Sequence, residues 1–405
     1  MLSVALAYIA WPIYGFVSNQ FEVARGPFGW SSIPEPIPQT GHVFDEAYAE
    51  AAAVAQDALS LRRQAIGAPA ISGAVAINGE IVWTAAIGWS SVEQRLPATP
   101  ATTFRIGSTS KAVTATALAR FVDAGRIDLD RSISNYFGEL PNDAWRDLTP
   151  RQLVSHTAGL PDYDQNNDWI GLYKSMALGS RVDDVFAALD IVDGSHILFE
   201  PGSSFHYSAF GPVLLSAVVQ AIAGEPFQAI LEREIFDPLG LNAIGPDWDD
   251  RFLGTNATFY QRKAGRVKPW RDVDLSLKLA AGGLTATPAD LASLGAAWLD
   301  DDFISASTRE EFWTPVRLPN GQINSQSYAL GWRVTAQQIE GVGEVEHYNH
   351  GGVSKGAQCW LMVVPKYNLV IAISINSRSN QFADFAGAYF DVLSAFVPAI
   401  AQQEK

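Results

Sequence analysis

The sequence predicts an α+β fold: an antiparallel sheet flanked by N- and C-terminal helices, with an all-helical region inserted into it. Three observations carry that reading. β-rich runs lie near both ends of the chain, the middle is helical or loop-like, and the C-terminal runs follow one another through short connections that suit antiparallel neighbours. The expected organisation is an apolar segment over 1–21, a linker over 22–43, the first part of the sheet domain over 44–107, a helical domain over 108–320, and the second part of the sheet domain over 321–400.

Each element has a local reason. Met1 to Phe21 carries no charged side chain and reads as a membrane anchor or export segment, at the lower limit of the roughly 20 apolar residues that span a bilayer. It lacks the basic flank and small-residue cleavage site of a clear signal peptide, and the alternative is a helix packed against the body. The location expected from the anchor is membrane-anchored or exported, periplasmic in a bacterium. Pro27, Pro34, Pro36 and Pro38 then mark a tether. Phe44 to Ile66 has helical periodicity without Gly or Pro and stops before Gly67. Ala70 to Ile77 and Glu80 to Gly88 are β-rich and joined by Asn78-Gly79, a strong hairpin signal.

Beyond residue 108 the pattern changes. Thr149-Pro150 opens a short helix, Ala209 to Ala223 makes a second closed by Gly224, and Phe227 to Phe236 and Pro288 to Leu299 make two more. Asp162 to Ser195 and Pro246 to Asp274 lack periodicity and suit cleft-lining loops. Strands return over Tyr328 to Ala336, Glu344 to Tyr348, Ala357 to Val364 and Leu369 to Asn376, and Gln381 to Ile400 is a final helix.

Composition excludes some functions. With 405 residues, 48% of them hydrophobic, the chain can build a large core. A net charge of −15 repels a nucleic-acid backbone, so the expected partners are small molecules or peptides. The single cysteine, Cys359, rules out an internal disulfide, and its apolar run makes it a buried bystander. His42, His196, His206 and His347 lack metal-site spacing, and no cofactor motif is present.

The chemistry gathers around Phe104-Arg105-Ile106-Gly107-Ser108-Thr109-Ser110-Lys111, which opens an apolar helical run. Ser108 stands at a helix start, with Lys111 one turn along the same face. A serine hydroxyl becomes a nucleophile when a base takes its proton, and a helix start offers backbone N–H groups to a developing oxyanion. By itself the pair also fits a helix cap followed by a solvated lysine.

Four further stretches give it context: Leu153-Val154-Ser155-His156-Thr157-Ala158-Gly159-Leu160, Glu200 to Ser208 with Tyr207, Ala281 to Leu291, and His350-Gly351-Gly352. In order and spacing, from Ala70 to Asn376, the set resembles the serine β-lactamase-like superfamily of class C β-lactamases, D-peptidases and related esterases. Phe205-His206-Tyr207-Ser208-Ala209-Phe210-Gly211 and the apolar N-terminus are most similar to LACTB-type serine hydrolases.

The resemblance implies a β-lactamase/transpeptidase-like fold and a covalent acyl-enzyme on Ser108, cleaving peptide or ester bonds without a metal or other cofactor. It implies Lys111 as proton partner and Tyr207 as acid/base. It also implies an oxyanion hole from the Ser108 and Val353 backbone N–H groups, and substrate contacts from His350, Gly351 and Gly352. Protonated, His350 would supply a cation for a substrate carboxylate. His156 is expected in a structural turn beside the cleft. Two departures bear on the substrate: Ala209 stands where relatives carry the asparagine of Tyr-x-Asn, and His350 replaces a lysine. Alternatives are true β-lactamase or D-peptidase activity, and a hydrolase-like scaffold without turnover.

Overall fold

The computed structural model describes Tyr14 and residues 29–162, 165, 169–179, 181–191 and 196–403. Apart from Tyr14, the apolar segment over 1–21 lies outside the described residues. The main sheet runs through β1 (Gln39–Val43), β2 (Ala70–Ile77), β3 (Glu80–Ser91), β4 (Arg333–Ile339), β5 (Gly343–Ser354), β6 (Ala357–Val364) and β7 (Leu369–Ile375). Its order is β4-β5-β6-β7-β2-β3-β1, antiparallel throughout, with Leu96–Pro97 added beside β3. Strands from both ends of the chain meet where β7 pairs with β2, Ala372 opposite Ala74. The hairpin between β2 and β3 turns on Asn78 and Gly79, both at positive φ as such a turn requires.

Five longer helices are α1 (Ala49–Ile66), α2 (Ser110–Asp123), α3 (Phe210–Ala223), α4 (Pro288–Ala297) and α5 (Phe382–Gln403), of which α1, α4 and α5 pack on the sheet. Both faces of the central strands are buried, and side chains alternate between two cores. Ile371 and Ile373 of β7 join Trp83 and Phe396 beneath α1 and α5, whereas Val370 and Ala372 join Leu291 and Leu294 beneath α4 and the helical region. A Cβ on Gly295 would lie 2.6 Å from Val370 Cγ1, so this glycine sets how closely α4 approaches the sheet. α5 is long and apolar enough to cross a membrane. Here it is a core helix, with Phe385, Val392 and Phe396 buried and Asp391 paired with Arg62 of α1.

The structure departs from the sequence reading in several places. The region over 108–320 is not all-helical, since it also holds strands such as Ile244–Pro246 and Leu284–Ala286; the strand read from Tyr328 begins at Arg333, and the one read over Glu344 to Tyr348 continues to Ser354. Residues 29–43 are no free tether: Ser31–Ser32 pairs with Arg266 and Val267, and β1 is an edge strand beside β3. Edge pairing is made by backbone groups and leaves no alternating apolar pattern to read. α1 begins at Ala49 because Asp45 caps a separate 3₁₀ turn over Glu46–Tyr48. The run from Phe227 is α-helical only to Leu231 and continues as a π-helix over Glu232–Phe236. The two segments read as loops contain helices Trp169–Ala177 and Val185–Leu189 and a hairpin of Tyr260–Lys263 with Arg266–Pro269.

Candidate active site

Ser108 is the middle residue of a 3₁₀ turn, Gly107–Thr109, that runs straight into α2. Gly107 has φ +52°, and β5 presses on this turn from the side. A Cβ on Gly107 would come within 2.8 Å of the Val353 nitrogen, and one on Gly352 would collide with the Ile106 carbonyl. Thr109 Oγ1 ties the same junction by donating to His350 O at 3.1 Å. The two glycines therefore let the protein's own strand and turn approach, bringing the Val353 backbone beside the serine turn.

Lys111 is 2% exposed, and its ammonium donates to Ser108 Oγ at 3.1 Å and to Ala281 O at 2.9 Å. It also stands 4.9 Å from the centre of the Tyr207 ring. Burial raises the Tyr207 phenol, but the charges of Lys111 and Arg333, with hydrogen bonds to Ser108 and Lys111, bring it below the usual tyrosine value. Ser108, Lys111 and Tyr207 thus meet at one place.

Arg333, at the start of β4, gave no signal in the sequence. Its guanidinium lies 5.3 Å from the Tyr207 ring centre and 5.2 Å from that of Tyr328, and Gln326 Oε1 accepts from Nε and Nη2 at 3.1 and 2.7 Å. Lys278 was also missed. Half-buried just before the Leu279–Gly282 segment, it is pushed down to about 7 by burial and by the ammonium groups of Lys355 and Lys111, against the pull of Asp162.

His350 is corrected in role. It is fully buried, its Nδ1 lies 2.9 Å from Gly351 O, and its Nε2 lies 2.9 Å from the Tyr328 hydroxyl. A carbonyl only accepts, so Nδ1 carries the proton and Nε2 accepts from Tyr328. Burial, then the charges of Arg333 and Lys111, hold the ring well below the usual histidine range. Neutral and with both nitrogens engaged, it is neither a cation nor an open donor. A Cβ on Gly351 would meet Trp360 and Phe382, and one on Gly352 the Ile106–Thr109 turn. The permanent positive charge at this wall is Arg333.

A hydroxyl, an ammonium, a phenol with lowered pKa and two converging backbone segments can together perform acyl transfer. The family model described as Beta-lactamase matches residues 55–396. The chain belongs to the beta-lactamase family. It is 26% identical to the human serine beta-lactamase-like protein LACTB, mitochondrial, over 79% of this chain and 73% of that protein. It is 25% identical to penicillin-binding protein 4* of Bacillus subtilis, over 63% of this chain and 57% of the relative. Among solved structures, D-amino acid amidase from Ochrobactrum anthropi superposes with a TM-score of 0.70 at 21% identity, covering 89% of this chain and 100% of that one. A class C beta lactamase from Rhodobacter sphaeroides gives 0.68 at 19%, covering 85% and 99%. These likenesses fix this beta-lactamase-family member's fold, and the family includes hydrolases such as penicillin-binding proteins and esterases.

Proposed function

We propose that the protein is a serine hydrolase that cleaves peptide or ester bonds through an acyl-enzyme on Ser108. The observation that carries this is the Lys111 bond to Ser108 Oγ beneath a phenol flanked by two cations. Tyr207, as phenolate, takes the Ser108 proton while Oγ bonds to the substrate carbonyl carbon. The carbonyl π pair moves to oxygen, facing the Ser108 and Val353 N–H groups. Collapse expels the amine or alkoxide, which takes its proton from Tyr207. Water then repeats the steps in reverse, with Tyr207 as base again and Ser108 as leaving group. Lys111 and Arg333 stabilise the phenolate, and the apolar segment over 1–21 is proposed to anchor the enzyme.

The test is a panel of p-nitrophenyl esters, D- and L-peptide anilides and nitrocefin, run on wild type and Ser108→Ala. Turnover of at least one ester or anilide, lost by about 10⁴-fold or more in the variant, is expected. Nitrocefin as the sole substrate turns the reading to a β-lactamase. Equal activity in both proteins overturns the serine mechanism, and no turnover of any substrate by folded wild type leaves a scaffold.

A further inference from the structure

His156 sits in a turn that grips the segment carrying Tyr207. The turn over 155–162 and the segment over 198–209 are laced together: Leu198 N donates to Gly159 O at 2.8 Å, Gly202 N to Thr157 O at 2.8 Å, and Ser208 Oγ to Pro161 O at 2.7 Å. Two further bonds end on one residue. His206 N donates to the His156 carbonyl at 2.9 Å, and Ser208 N donates to His156 Nδ1 at 3.3 Å. The residues on either side of Tyr207 are thereby tied to His156. Its ring also packs on the Tyr207 ring at 4.3 Å between centres, inclined by 42°.

The backbone of His156 makes this possible. Its φ is +62°, a left-handed conformation that histidine tolerates and β-branched residues resist, and it aims carbonyl and ring at the same segment. Because Nδ1 accepts, the proton is on Nε2, which is buried and has no hydrogen-bond partner among the described residues.

We propose that His156 is a positioning residue, whose carbonyl, Nδ1 and ring together fix where the Tyr207 phenol stands over Ser108. The proposal rests on the reading that Tyr207 acts on Ser108. Burial, then the charges of Lys111, Arg333 and His206, keep the His156 ring neutral, so Nδ1 stays an acceptor. Lys111, Arg333, Tyr328, His156 and His350 surround the phenol.

Two variants separate positioning from bulk structure. His156→Gly accepts the left-handed backbone without strain and keeps the carbonyl, but has neither ring nor side-chain acceptor. His156→Asn tolerates the same backbone and returns an oxygen to the Ser208 N–H. Steady-state hydrolysis is expected to show kcat down by roughly 30-fold in His156→Gly with KM within about two-fold, and most of the loss recovered in His156→Asn. Ultraviolet titration of tyrosinate supplies a readout independent of turnover, with the Tyr207 step assigned by its loss in Tyr207→Phe. That step is expected to move to higher pH in His156→Gly and to return in His156→Asn. An unchanged step with kcat within two-fold in a folded His156→Gly overturns the proposal, as does an asparagine variant no better than glycine. A wild type as inactive as Ser108→Ala overturns the hydrolase reading instead, and the titration then decides His156 alone.

Discussion

At the scale of single residues, the central feature is a phenol between two cations. The Tyr207 hydroxyl is lowered despite burial, so its reactive phenolate form is populated at lower pH than in an ordinary tyrosine. Activity should rise with pH through that group and level off below the usual tyrosine value of 10. Tyr207→Phe is expected to lower kcat about 10³-fold. Arg333→Gln keeps the phenol but removes one cation, so the rising limb should shift to higher pH in a kcat/KM profile. A limb unmoved in Arg333→Gln would remove that residue from the account. Ser108, Lys111 and Tyr207 were legible in the sequence because each sits in a short motif, and the structure brings them together. Arg333 was not, because a cation at the start of an edge strand has no local pattern. It acts only where β4 passes Tyr207, a contact between residues 126 positions apart (207 to 333). His350 misled for a related reason: its motif brings the imidazole to the site but does not reveal that Tyr328 stands before it.

At the scale of elements, the site is a junction of the serine turn, β5, and the segment from Ser276 to Gly282. Ala281 O holds Lys111 and Ala280 O accepts from Thr114 Oγ1 at 2.7 Å, so one short helix anchors α2 at two points. The buried Arg105 guanidinium joins the neighbourhood, bonding Asp247 Oδ1 at 2.9 Å and Lys355 O at 3.0 Å. Gly352 is the tightest joint. Gly352→Ala is expected to lower stability by about 3 kcal/mol, because its methyl meets backbone that cannot swing aside. It should also abolish serine labelling under conditions where the variant remains folded. Urea unfolding followed by a fluorophosphonate assay checks both, and a fully active, equally stable variant would contradict the packing argument. β6 and the β2–β3 hairpin were readable from apolar runs and Asn78-Gly79, and β6 has the expected bounds. β1 was not, since its side chains are mostly exposed and its strand character comes from β3.

At the scale of the whole molecule, α1 and α5 cover one face of a sheet shared by both chain ends, and α4 with the helical region covers the other. The β-rich runs near both chain ends made the sheet legible. The helical middle was harder to delimit, because whether α4 packs on a sheet or on other helices is settled by distant partners such as Val370. Three buried histidines make the folded state sensitive to acid. His347, 2% exposed, is pushed down to about 4 by burial, and His156 and His350 are also held low. Above the ordinary value of 6.5, His347 is neutral in both states. Between 6.5 and about 4 the unfolded chain binds a proton that the folded chain does not, so stability falls as pH falls through this window. The His347 contribution is roughly 3 kcal/mol at most, and His347→Gln should flatten that part of a melting-temperature profile between pH 7.5 and 4.5. An unchanged slope would remove His347 from the explanation. The mechanism as a whole turns on the hydroxyl at 108 being the nucleophile. Intact-protein mass spectrometry after fluorophosphonate treatment, followed by peptide mapping, tests it directly. One adduct per chain on the peptide containing Ser108, absent from Ser108→Ala, is the predicted result; an adduct on another residue, or none in folded protein, would contradict it.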